Sequence, residues 1–380
     1  MRIVIVGAGI AGVRTAEVLR DKGFAGELVL IGEETHPPYD RPPLSKQVLR
    51  GEREPIWLRE DYDSLQVELR LGAHAQSLDV AAREVGTSTG VVGYDQLVLA
   101  TGATPRRLPG EPGRVLRSLD DSQALGGLLV EGAVLGIVGA GLIGCEVAAS
   151  ARSKGTDVHL VDVLAGPLIR VLGPQVAGRI ADLHAAHGVH LHLGIGVASA
   201  EPHRLVLADG TALEVDAVLE AMGVRPASDW LAGSGLTLDD GVVCDGTGRA
   251  GDGVWAVGDV ARWADGLGGS WRREHWTSAG EQAATVAGAL LGEPVVHDAV
   301  PYWWSDQYDL KLQGLGSVAA DDEVTFLEVG PRARTIALYA REGRLTGVVG
   351  FSAGAAVMKL RDAVALRQDL TKVTEQLSPN

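Results

Sequence analysis

The sequence predicts an α/β fold made of two strand–helix–strand units with the same glycine-rich turn, plus a small α+β C-terminal domain. The first observation is the succession of an apolar strand, a glycine turn, a helix and a second strand in "RIVIVGAGIAGVRTAEVLRDKGFAGELVLIGEE". The second is the same order in "AVLGIVGAGLIGCEVAASARSKGTDVHLVD". The third is the length of 380 residues, which exceeds one ordinary core and favours two or three domains.

The glycine spacing of the first unit predicts a turn that holds a pyrophosphate. Gly7 permits the tight turn, Gly9 lets the backbone approach the phosphates, and Gly12 allows close packing of the helix. The helix N-terminus then faces the negative charge. Glu33 follows the second strand, where a carboxylate accepts hydrogen bonds from a ribose diol. The unit is therefore a candidate dinucleotide site of the Rossmann-like, three-layer ββα type.

The second unit repeats this pattern and predicts a second nucleotide site. Its turn contains three glycines with the same spacing, Gly139, Gly141 and Gly144. One such turn alone is a weak signal, whereas two complete units predict two bound nucleotides. Asp162 ends the second strand, and a carboxylate there accepts from a 2′-hydroxyl and repels a 2′-phosphate, which favours NADH over NADPH. Arg152 and Arg170 lie nearby in the sequence. A guanidinium there can bind a 2′-phosphate, which would weaken this preference.

The composition is that of a globular protein and argues against several classes of partner. Asp and Glu total 49 against 34 Lys and Arg, a formal net charge of −15, so neither nucleic acid nor anionic membrane is an expected partner. The chain leads directly into a strand-like segment without the features of a signal peptide, and no apolar run approaches ~20 residues. We therefore expect a soluble, cytoplasmic protein.

The cysteines and histidines predict neither dithiol chemistry nor a metal site. Cys145 and Cys244 lie far apart in apolar stretches, which predicts reduced, buried thiols. There is no CxxC or CxxxxC pair, so the chemistry of disulfide reductases is excluded. A histidine-rich segment, "HAAHGVHLH", superficially suggests a metal motif, but Gly188 divides its histidines between a helix end and a strand. We therefore expect no metal.

A proline-rich stretch, "PPYDRPPLSK" at residues 37–46, predicts a rigid coil. Proline fixes its own φ and keeps the preceding residue out of the helical region. The coil carries the charges of Asp40, Arg41 and Lys46. A surface connection rarely needs such restraint, whereas a loop that holds charges against a ligand does. We therefore interpret these residues as part of a ligand site.

Short motifs elsewhere reveal a resemblance to a known family. The "ATG" and "GD" elements of glutathione-reductase-like flavoenzymes occur in "YDQLVLATGATP" and "GVWAVGDVA". A closer resemblance, to the NADH-dependent ferredoxin reductases of bacterial ring-hydroxylating dioxygenases and haem-thiolate monooxygenases, is carried by "YDRPPLSK", "REHWTSAGEQ" and "VPYWWSDQYDLKLQGLG". The resemblance covers nearly the whole chain in the order of the family's motifs, and it weakens after about residue 320.

This resemblance implies a domain layout, cofactors and an activity. It implies an FAD domain at residues 1–108 and 230–297, an NAD domain at 109–229 and a C-terminal α+β domain at 298–380. The implied cofactors are FAD and NADH, and the implied partner is a two-iron ferredoxin or a similar acceptor protein that feeds an oxygenase. Rubredoxin, a quinone, a nitrite-reducing partner or oxygen stay open as acceptors, as does a flavin and NADH redox sensor similar to apoptosis-inducing factor. We expect a monomer or a weak homodimer.

The resemblance also implies the residues of the site. Lys46 lies near the flavin N5 edge and Glu146 between the nicotinamide and this lysine, so these two are the catalytic candidates. Arg41 contacts FAD, Ala75 lies near its adenine, and Asp259 binds its ribityl or pyrophosphate region. The remaining implied cofactor contacts are Gly7, Gly9, Ala11, Gly12, Glu33, Ala100, Thr101, Gly102, Gly139, Gly141, Ile143, Gly144, Asp162, Gly223, Trp276 and Trp304.

Aromatic and basic residues are the candidates for contact with the electron acceptor. The resemblance implies that Trp276 stacks near the flavin and that Trp304 lies between the flavin and the iron–sulfur partner. Ferredoxins are usually acidic, so docking needs basic residues despite the negative net charge. The candidates are Arg272, Arg273, Lys311, Arg361 and Arg367.

Near the end of the chain, apolar residues at helical spacing predict a helix that covers the sheet of the C-terminal domain. These residues are Val357, Leu360, Val364 and Leu366.

Overall fold

The computed structural model describes residues 1–264 and 269–377. The chain forms two compact units and passes between them several times. Unit 1 comprises Met1–Asp40, Ile56–Thr104 and Val224–Ala299. Unit 2 comprises Arg41–Pro55, Pro105–Gly223 and Val300–Asn380. The predicted division into three domains is finer than these two units, and it stays a prediction.

The helices of the described residues vary from one to five turns. The α-helices are α1 (Ile10–Asp21), α2 (Leu119–Gly126), α3 (Leu142–Ser153), α4 (Ile169–Ala186), α5 (Trp276–Leu290), α6 (Gly354–Lys359), α7 (Arg361–Ala365) and α8 (Leu370–Leu377). Short 3₁₀ helices occur at Pro42–Ser45, Asp229–Leu231 and Gly258–Val260. Among the described residues, none of the helices combines the length and the apolar character that crossing a bilayer requires.

The strands are mostly short. They are β1 (Arg2–Val6), β2 (Glu27–Ile31), β3 (Val67–Arg70), β4 (Ala75–Asp79), β5 (Glu84–Thr87), β6 (Gly90–Gly93), β7 (Gln96–Leu99), β8 (Ala103–Pro105), β9 (Val134–Val138), β10 (Asp157–Asp162), β11 (His190–Leu193), β12 (Val197–Glu201), β13 (Arg204–Leu207), β14 (Ala212–Glu214), β15 (Ala217–Glu220), β16 (Val224–Pro226), β17 (Val242–Cys244), β18 (Arg249–Gly251), β19 (Val254–Ala256), β20 (Ala261–Ala264), β21 (Ser270–Trp271), β22 (Tyr302–Gln307), β23 (Leu310–Gly316), β24 (Glu323–Val329), β25 (Arg334–Arg341) and β26 (Arg344–Phe351).

Unit 1 is built around a sheet with the strand order β18-β19-β7-β1-β2-β3. Strand β1 pairs in parallel with β2 and β7, and its residues from Ile3 to Val6 are buried. A continuous apolar run suits this position because parallel strands are covered on both faces. Helices α1 and α5 pack against each other beside the sheet. The first predicted strand–helix–strand unit therefore forms as the sequence indicated.

Unit 2 contains the second strand–helix–strand unit, in a four-stranded sheet with the order β11-β10-β9-β15. All three neighbouring pairs in this sheet are parallel. A small antiparallel sheet, β12-β13-β14, adds to the same unit. The residues of α3 from Gly144 to Ala151 are buried, because this helix packs against β9, β10 and β22.

The last part of unit 2 is an antiparallel sheet with the order β22-β23-β26-β25-β24. Val357, Leu360 and Val364 pack in its hydrophobic core, as their spacing indicated. The prediction for Leu366 is wrong, since this side chain is 72% exposed. The predicted single helix is divided into α6 and α7 at Leu360, and Leu366 follows the end of α7.

Candidate functional site

The glycine turn between β1 and α1 has the geometry of a phosphate cradle. Gly7 has φ +116°, and a Cβ atom on it would lie 2.1 Å from the carbonyl oxygen of Ala100. A Cβ atom on Gly12 would lie 1.9 Å from the oxygen of Gly7. Gly9 caps α1 and has open space where its Cβ would be. Packing therefore requires glycine at Gly7 and Gly12, whereas the open space at Gly9 fits the close approach of a pyrophosphate.

Further predicted cofactor contacts lie in unit 1. Ala100, Thr101 and Gly102 follow β7, and the Thr101 hydroxyl donates to the carbonyl of Ala227 at 2.8 Å. Ala75 is buried at the start of β4. Glu33 is exposed beyond the end of β2, and one of its oxygens lies 3.0 Å from Nδ1 of His74.

The second sequence motif of unit 1 places polar groups beside the same helix. Asp259 lies in the 3₁₀ helix Gly258–Val260, and the amide of Gly258 donates to Oε1 of the buried Gln282 at 2.6 Å. The Gln282 Nε2 atom is buried without a hydrogen-bond partner in the described part of the chain. Gly258 has φ +73°, and a Cβ atom on it would lie 3.0 Å from the Cβ of Ala11, so a larger residue at either position would be crowded.

The unpartnered Gln282 amide fits a bound ligand that accepts a hydrogen bond, since buried polar groups are normally satisfied. Sequence reasoning did not select Gln282, although it lies within the quoted "REHWTSAGEQ" motif. Trp276 has a defined orientation because its indole Nε1 donates to Oδ1 of Asp40 at 2.6 Å. The charge of Asp40 in the proline-rich stretch therefore serves to hold an aromatic ring.

The glycine turn between β9 and α3 repeats the first cradle within unit 2. Gly139 has φ +108°, and a Cβ atom there would lie 2.4 Å from the carbonyl oxygen of Ala221. A Cβ atom on Gly144 would lie 2.0 Å from the oxygen of Gly139, whereas Gly141 is open. The first turn of α3 contains the half-buried Ile143. This cradle fits a second pyrophosphate for the same reason as the first.

Two further predicted residues border the second cradle. Gly223 has φ +90° and open space where its Cβ would be. Its carbonyl accepts from the amide of Arg106 at 2.9 Å. The carboxylate of Asp162 accepts from the amides of Ala140 at 2.7 Å and Leu164 at 2.8 Å. It therefore stabilises the turn itself and puts a negative charge at the end of β10.

Of the two arginines near Asp162 in the sequence, Arg170 is exposed, and Arg152 is engaged elsewhere. The Arg152 guanidinium contacts Oδ1 of Asp157 at 2.5 Å and also donates to the carbonyls of Thr156 and His187. These bonds use three of its five N–H groups at the start of β10, the opposite end of this strand from Asp162, so Arg152 does not lie beside the position expected for a 2′-phosphate.

Lys46 and Glu146 form a buried ion pair in unit 2. The lysine follows the 3₁₀ helix Pro42–Ser45, the glutamate lies on α3, and Nζ is 2.6 Å from Oε2. Their side chains are only 7% and 6% exposed. The stretch at residues 37–46 is thus partly a 3₁₀ turn, and its restraint places Lys46 Nζ also within 3.0 Å of the Pro42 carbonyl.

Two serines donate hydrogen bonds to the carboxylate of this ion pair. Ser45 Oγ donates to Oε2 of Glu146 at 2.5 Å, and Ser305 Oγ donates to Oε1 at 2.7 Å. A buried ion pair needs such additional hydrogen bonds because desolvation offsets much of its attraction. Sequence reasoning missed both serines, although each lies in a quoted motif, because the motifs do not state which residues meet.

The other predicted contacts of unit 2 occupy distinct environments. Arg41 Nη1 donates to the carbonyl of Arg117 at 2.5 Å. Trp304 stacks against Tyr302 with ring centroids 6.1 Å apart. Trp303 is 6% exposed and lies over Gly314, where a Cβ would come within 2.3 Å of its ring, so it belongs to the core.

The predictions for cysteines and histidines can be compared with the structure directly. Both cysteines are buried and free, which confirms the expected thiols. Burial raises the pKa of Cys145, and it raises that of Cys244 to about 12. The histidine-rich segment is divided between α4 and β11, as Gly188 indicated. In residues 1–264 and 269–377 no group of three His, Cys, Asp or Glu side chains is arranged to hold a metal ion.

One predicted docking residue is not available. Arg272 is 10% exposed and pairs with Asp240 at 3.2 Å and Glu274 at 2.5 Å, so the suggestion that it binds an acidic partner is wrong. The guanidinium of Arg273 lies 3.8 Å from the ring centroid of Trp271.

Known proteins resemble the chain over its whole length. The family "Pyridine nucleotide-disulphide oxidoreductase" matches residues 1–283, and "Reductase C-terminal" matches residues 302–375. Rhodocoxin reductase of Rhodococcus erythropolis is 37% identical over 85% of this chain and 79% of its own. The ferredoxin–NAD(+) reductase component of the p-cumate 2,3-dioxygenase system of Pseudomonas putida is 37% identical over 84% and 82%.

A solved structure gives the same result for the fold. The covalent putidaredoxin reductase–putidaredoxin complex contains a chain that superposes with a TM-score of 0.92 at 29% identity, covering 100% of this chain and 99% of that one. The predicted α/β fold with a C-terminal domain is thereby confirmed. Together with the two cradles, these matches show that the chain belongs to the pyridine nucleotide-disulphide oxidoreductase family, whose members bind FAD and NAD.

Proposed function

We propose that this protein is an NADH-dependent ferredoxin reductase that supplies an oxygenase with electrons. Two glycine cradles support the use of two dinucleotides, and the absence of a CxxxxC pair argues against a dithiol as acceptor. The observation that carries the proposal is the buried pair of Lys46 and Glu146 on the unit that also bears the second cradle. Relatives named as ferredoxin–NAD(+) reductase components support the same activity.

The residues of unit 1 are proposed to hold FAD. The α1 cradle at Gly7, Gly9 and Gly12 binds the pyrophosphate through backbone amides and the helix N-terminus. Gln282 donates its free amide hydrogens to the cofactor, and Trp276, fixed by Asp40, borders the flavin. When bound, a flavin accepts the two electrons of NADH together and releases them one at a time, which suits an iron–sulfur acceptor.

The residues of unit 2 are proposed to hold NADH. The α3 cradle at Gly139, Gly141 and Gly144 binds the pyrophosphate, and Asp162 accepts from the adenosine ribose. The negative charge of Asp162 and the engagement of Arg152 at the opposite end of β10 both support NADH over NADPH. The exposed Arg170, near Asp162 in the sequence, is the arginine that would weaken this preference. The Glu146 carboxylate orients the nicotinamide carboxamide, and Lys46 contributes a positive charge from a dry environment, where its effect is strongest.

The acceptor is proposed to receive electrons without a covalent bond to the protein. Cys145 cannot act as a redox thiol because its burial holds the pKa high and keeps it protonated. Arg273, Lys311, Arg361 and Arg367 remain as basic residues for docking an acidic ferredoxin. We also propose that Trp304 borders this interface and that the protein is cytoplasmic, which is consistent with two free thiols.

The experiment that tests this function is a reductant titration of the purified protein. Its flavin spectrum is recorded during separate additions of NADH and NADPH, and cytochrome c reduction is followed with and without a two-iron ferredoxin. We expect NADH to reduce the flavin quickly and cytochrome c reduction to depend on ferredoxin. Slow flavin reduction with a long-lived charge-transfer complex, and no effect of ferredoxin, would contradict the proposal and favour a redox sensor.

A further inference from the structure

The buried face of β22 carries polar residues where apolar ones would be expected. Residues alternate along this strand between buried and half-buried positions, and the buried ones are Trp303, Ser305 and Gln307. Ser305 and Gln307 are both 0% exposed. Buried polar side chains are as a rule hydrogen-bonded, so the partners of these two residues need to be identified. Their partners lead from the ion pair to α4 and to the end of β22.

The hydrogen bonds run as an unbroken series that ends on Glu146. Ser305 Oγ lies 2.7 Å from Oε1 of Glu146 and 3.2 Å from Nε2 of Gln307. Gln307 Oε1 lies 3.1 Å from Nε2 of His184, and His184 Nδ1 lies 3.0 Å from the hydroxyl of Tyr308. We call this series the donor chain, consisting of Tyr308, His184, Gln307 and Ser305.

The chemistry of these groups fixes the direction in which each donates. Burial lowers the pKa of His184 to about 4, so the imidazole is neutral at physiological pH and has one N–H. Because Gln307 Oε1 can only accept, that N–H is on Nε2, and Nδ1 accepts from the Tyr308 hydroxyl. Gln307 then donates to Ser305, and Ser305 donates to the carboxylate. Every donor therefore points toward Glu146, and each bond polarises the next.

Tyr308 occupies a position that tyrosine does not favour. It is the first residue of the two-residue turn between β22 and β23, with φ +53°, where glycine, asparagine or aspartate are the preferred residues. Its ring stacks on His187 with centroids 3.6 Å apart, in addition to the contact with His184. Burial raises the pKa of its phenol, and the nearby Cys145 raises it further while Arg152 lowers it, so the hydroxyl keeps its proton.

We propose that the donor chain positions the Glu146 carboxylate against Lys46 and thereby determines how tightly the nicotinamide end of NADH is bound. This inference rests on the function proposed above and assigns positioning roles to residues on β22 and α4. The carboxylate accepts at both oxygens, from Lys46 and Ser45 at one and from the donor chain at the other. Without the donor chain, Oε1 of Glu146 loses its hydrogen bond from Ser305. The carboxylate can then rotate away from the position in which it pairs with Lys46.

The first test measures the Kd of NAD⁺ for the oxidised, flavin-loaded protein by calorimetry. Ser305→Ala is expected to raise this Kd about tenfold, the lower range for a hydrogen bond to a charged group, while flavin content stays unchanged and Tm falls by only a few degrees. Ser305→Thr restores the hydroxyl and is expected to restore the Kd. Thr156→Val is the matched control, since Thr156 is buried in the same unit and its hydroxyl donates to the Val130 carbonyl, away from Glu146.

A second variant and a spectroscopic measurement keep the test decisive if Ser305→Ala does not fold. Gln307→Met has nearly the same length but no N–H group to donate to Ser305, so the serine hydroxyl loses the hydrogen bond that orients it; this variant is also expected to weaken NAD⁺ binding about tenfold. In the unmodified protein, long-range ¹H–¹⁵N spectra of labelled histidine report the tautomer of His184. We expect a neutral ring protonated on Nε2.

The outcomes separate this inference from the proposed function. A His184 ring protonated on Nδ1 or on both nitrogens at neutral pH would overturn the donor chain. NAD⁺ binding that is weakened in Glu146→Gln but unchanged in Ser305→Ala and Gln307→Met would overturn the inference alone. Unchanged NAD⁺ binding in all three variants would show that neither Glu146 nor the donor chain contributes to NAD⁺ binding.

Discussion

Removal of Lys46 is the perturbation whose effect can be worked out most fully from the structure. Lys46→Met keeps the length and apolar stem of the side chain but leaves the Glu146 carboxylate as a buried charge without its cation. Breaking a buried ion pair at one partner destabilises a protein by about 3–5 kcal/mol. Ser45 and Ser305 still donate to the carboxylate, so we expect the lower end, about 3 kcal/mol.

The second variant distinguishes a true pair from two independent residues. Lys46→Met combined with Glu146→Gln removes both buried charges, so the double variant is expected to be more stable than Lys46→Met alone. The coupling energy between the two sites should therefore exceed about 1 kcal/mol. Lys359→Met is the matched control, because Lys359 is an exposed lysine of the same unit and its change should stay within about 0.5 kcal/mol.

The assay is denaturant unfolding followed by circular dichroism, with flavin reduction by NADH measured in stopped flow on the same preparations. Lys46→Met is expected to slow flavin reduction about 100-fold, as removal of one preorganised hydrogen-bond donor does in other enzymes. Effects of the two substitutions that add within about 0.5 kcal/mol would refute the reasoning, because independent sites add and coupled sites do not.

Three further predictions concern the cradles and the buried histidine. Asp162→Asn removes a charge while keeping an acceptor for the backbone amides, and the preference for NADH over NADPH in kcat/KM should fall about tenfold. Gly12→Ala should abolish flavin binding, seen as a colourless preparation, because its Cβ would overlap the Gly7 carbonyl, whereas Gly9→Ala should fold with normal stability. His184 is neutral when folded and protonates below about pH 4, against 6.5 when unfolded, so the unfolded chain binds more protons as pH falls. The free energy of unfolding should therefore decrease by up to about 3 kcal/mol as the pH falls from 6.5 to about 4. A His184→Gln variant whose free energy of unfolding has the same dependence on pH would contradict this.

The two strand–helix–strand units and their glycine turns could be predicted from the local sequence. The turns at Gly7 and Gly139 follow from glycine spacing, because each needs a positive φ that glycine adopts readily. The break in the C-terminal helix was missed because Leu360 packs inward where two short helices meet, which leaves Leu366 in solvent.

The partners within the site could not be predicted in the same way. The pairing of Lys46 with Glu146 was expected from the family resemblance, but Ser305 comes from a strand 159 residues beyond Glu146. No periodicity links such distant positions. Arg272 was misjudged for a related reason, because its carboxylate partners are adjacent only after folding. The sequence indicated which residue types carry the chemistry, whereas tertiary packing determines which of their atoms meet.

The central claim is that electrons received in pairs from NADH leave singly for a ferredoxin. The most direct measurement mixes the flavin-loaded protein anaerobically with a limiting amount of NADH and an excess of oxidised two-iron ferredoxin, and counts the reduced ferredoxin from its absorbance. We predict two reduced ferredoxins for each NADH consumed. NADH consumption that leaves the ferredoxin oxidised, or a protein that takes up no flavin, would contradict the account.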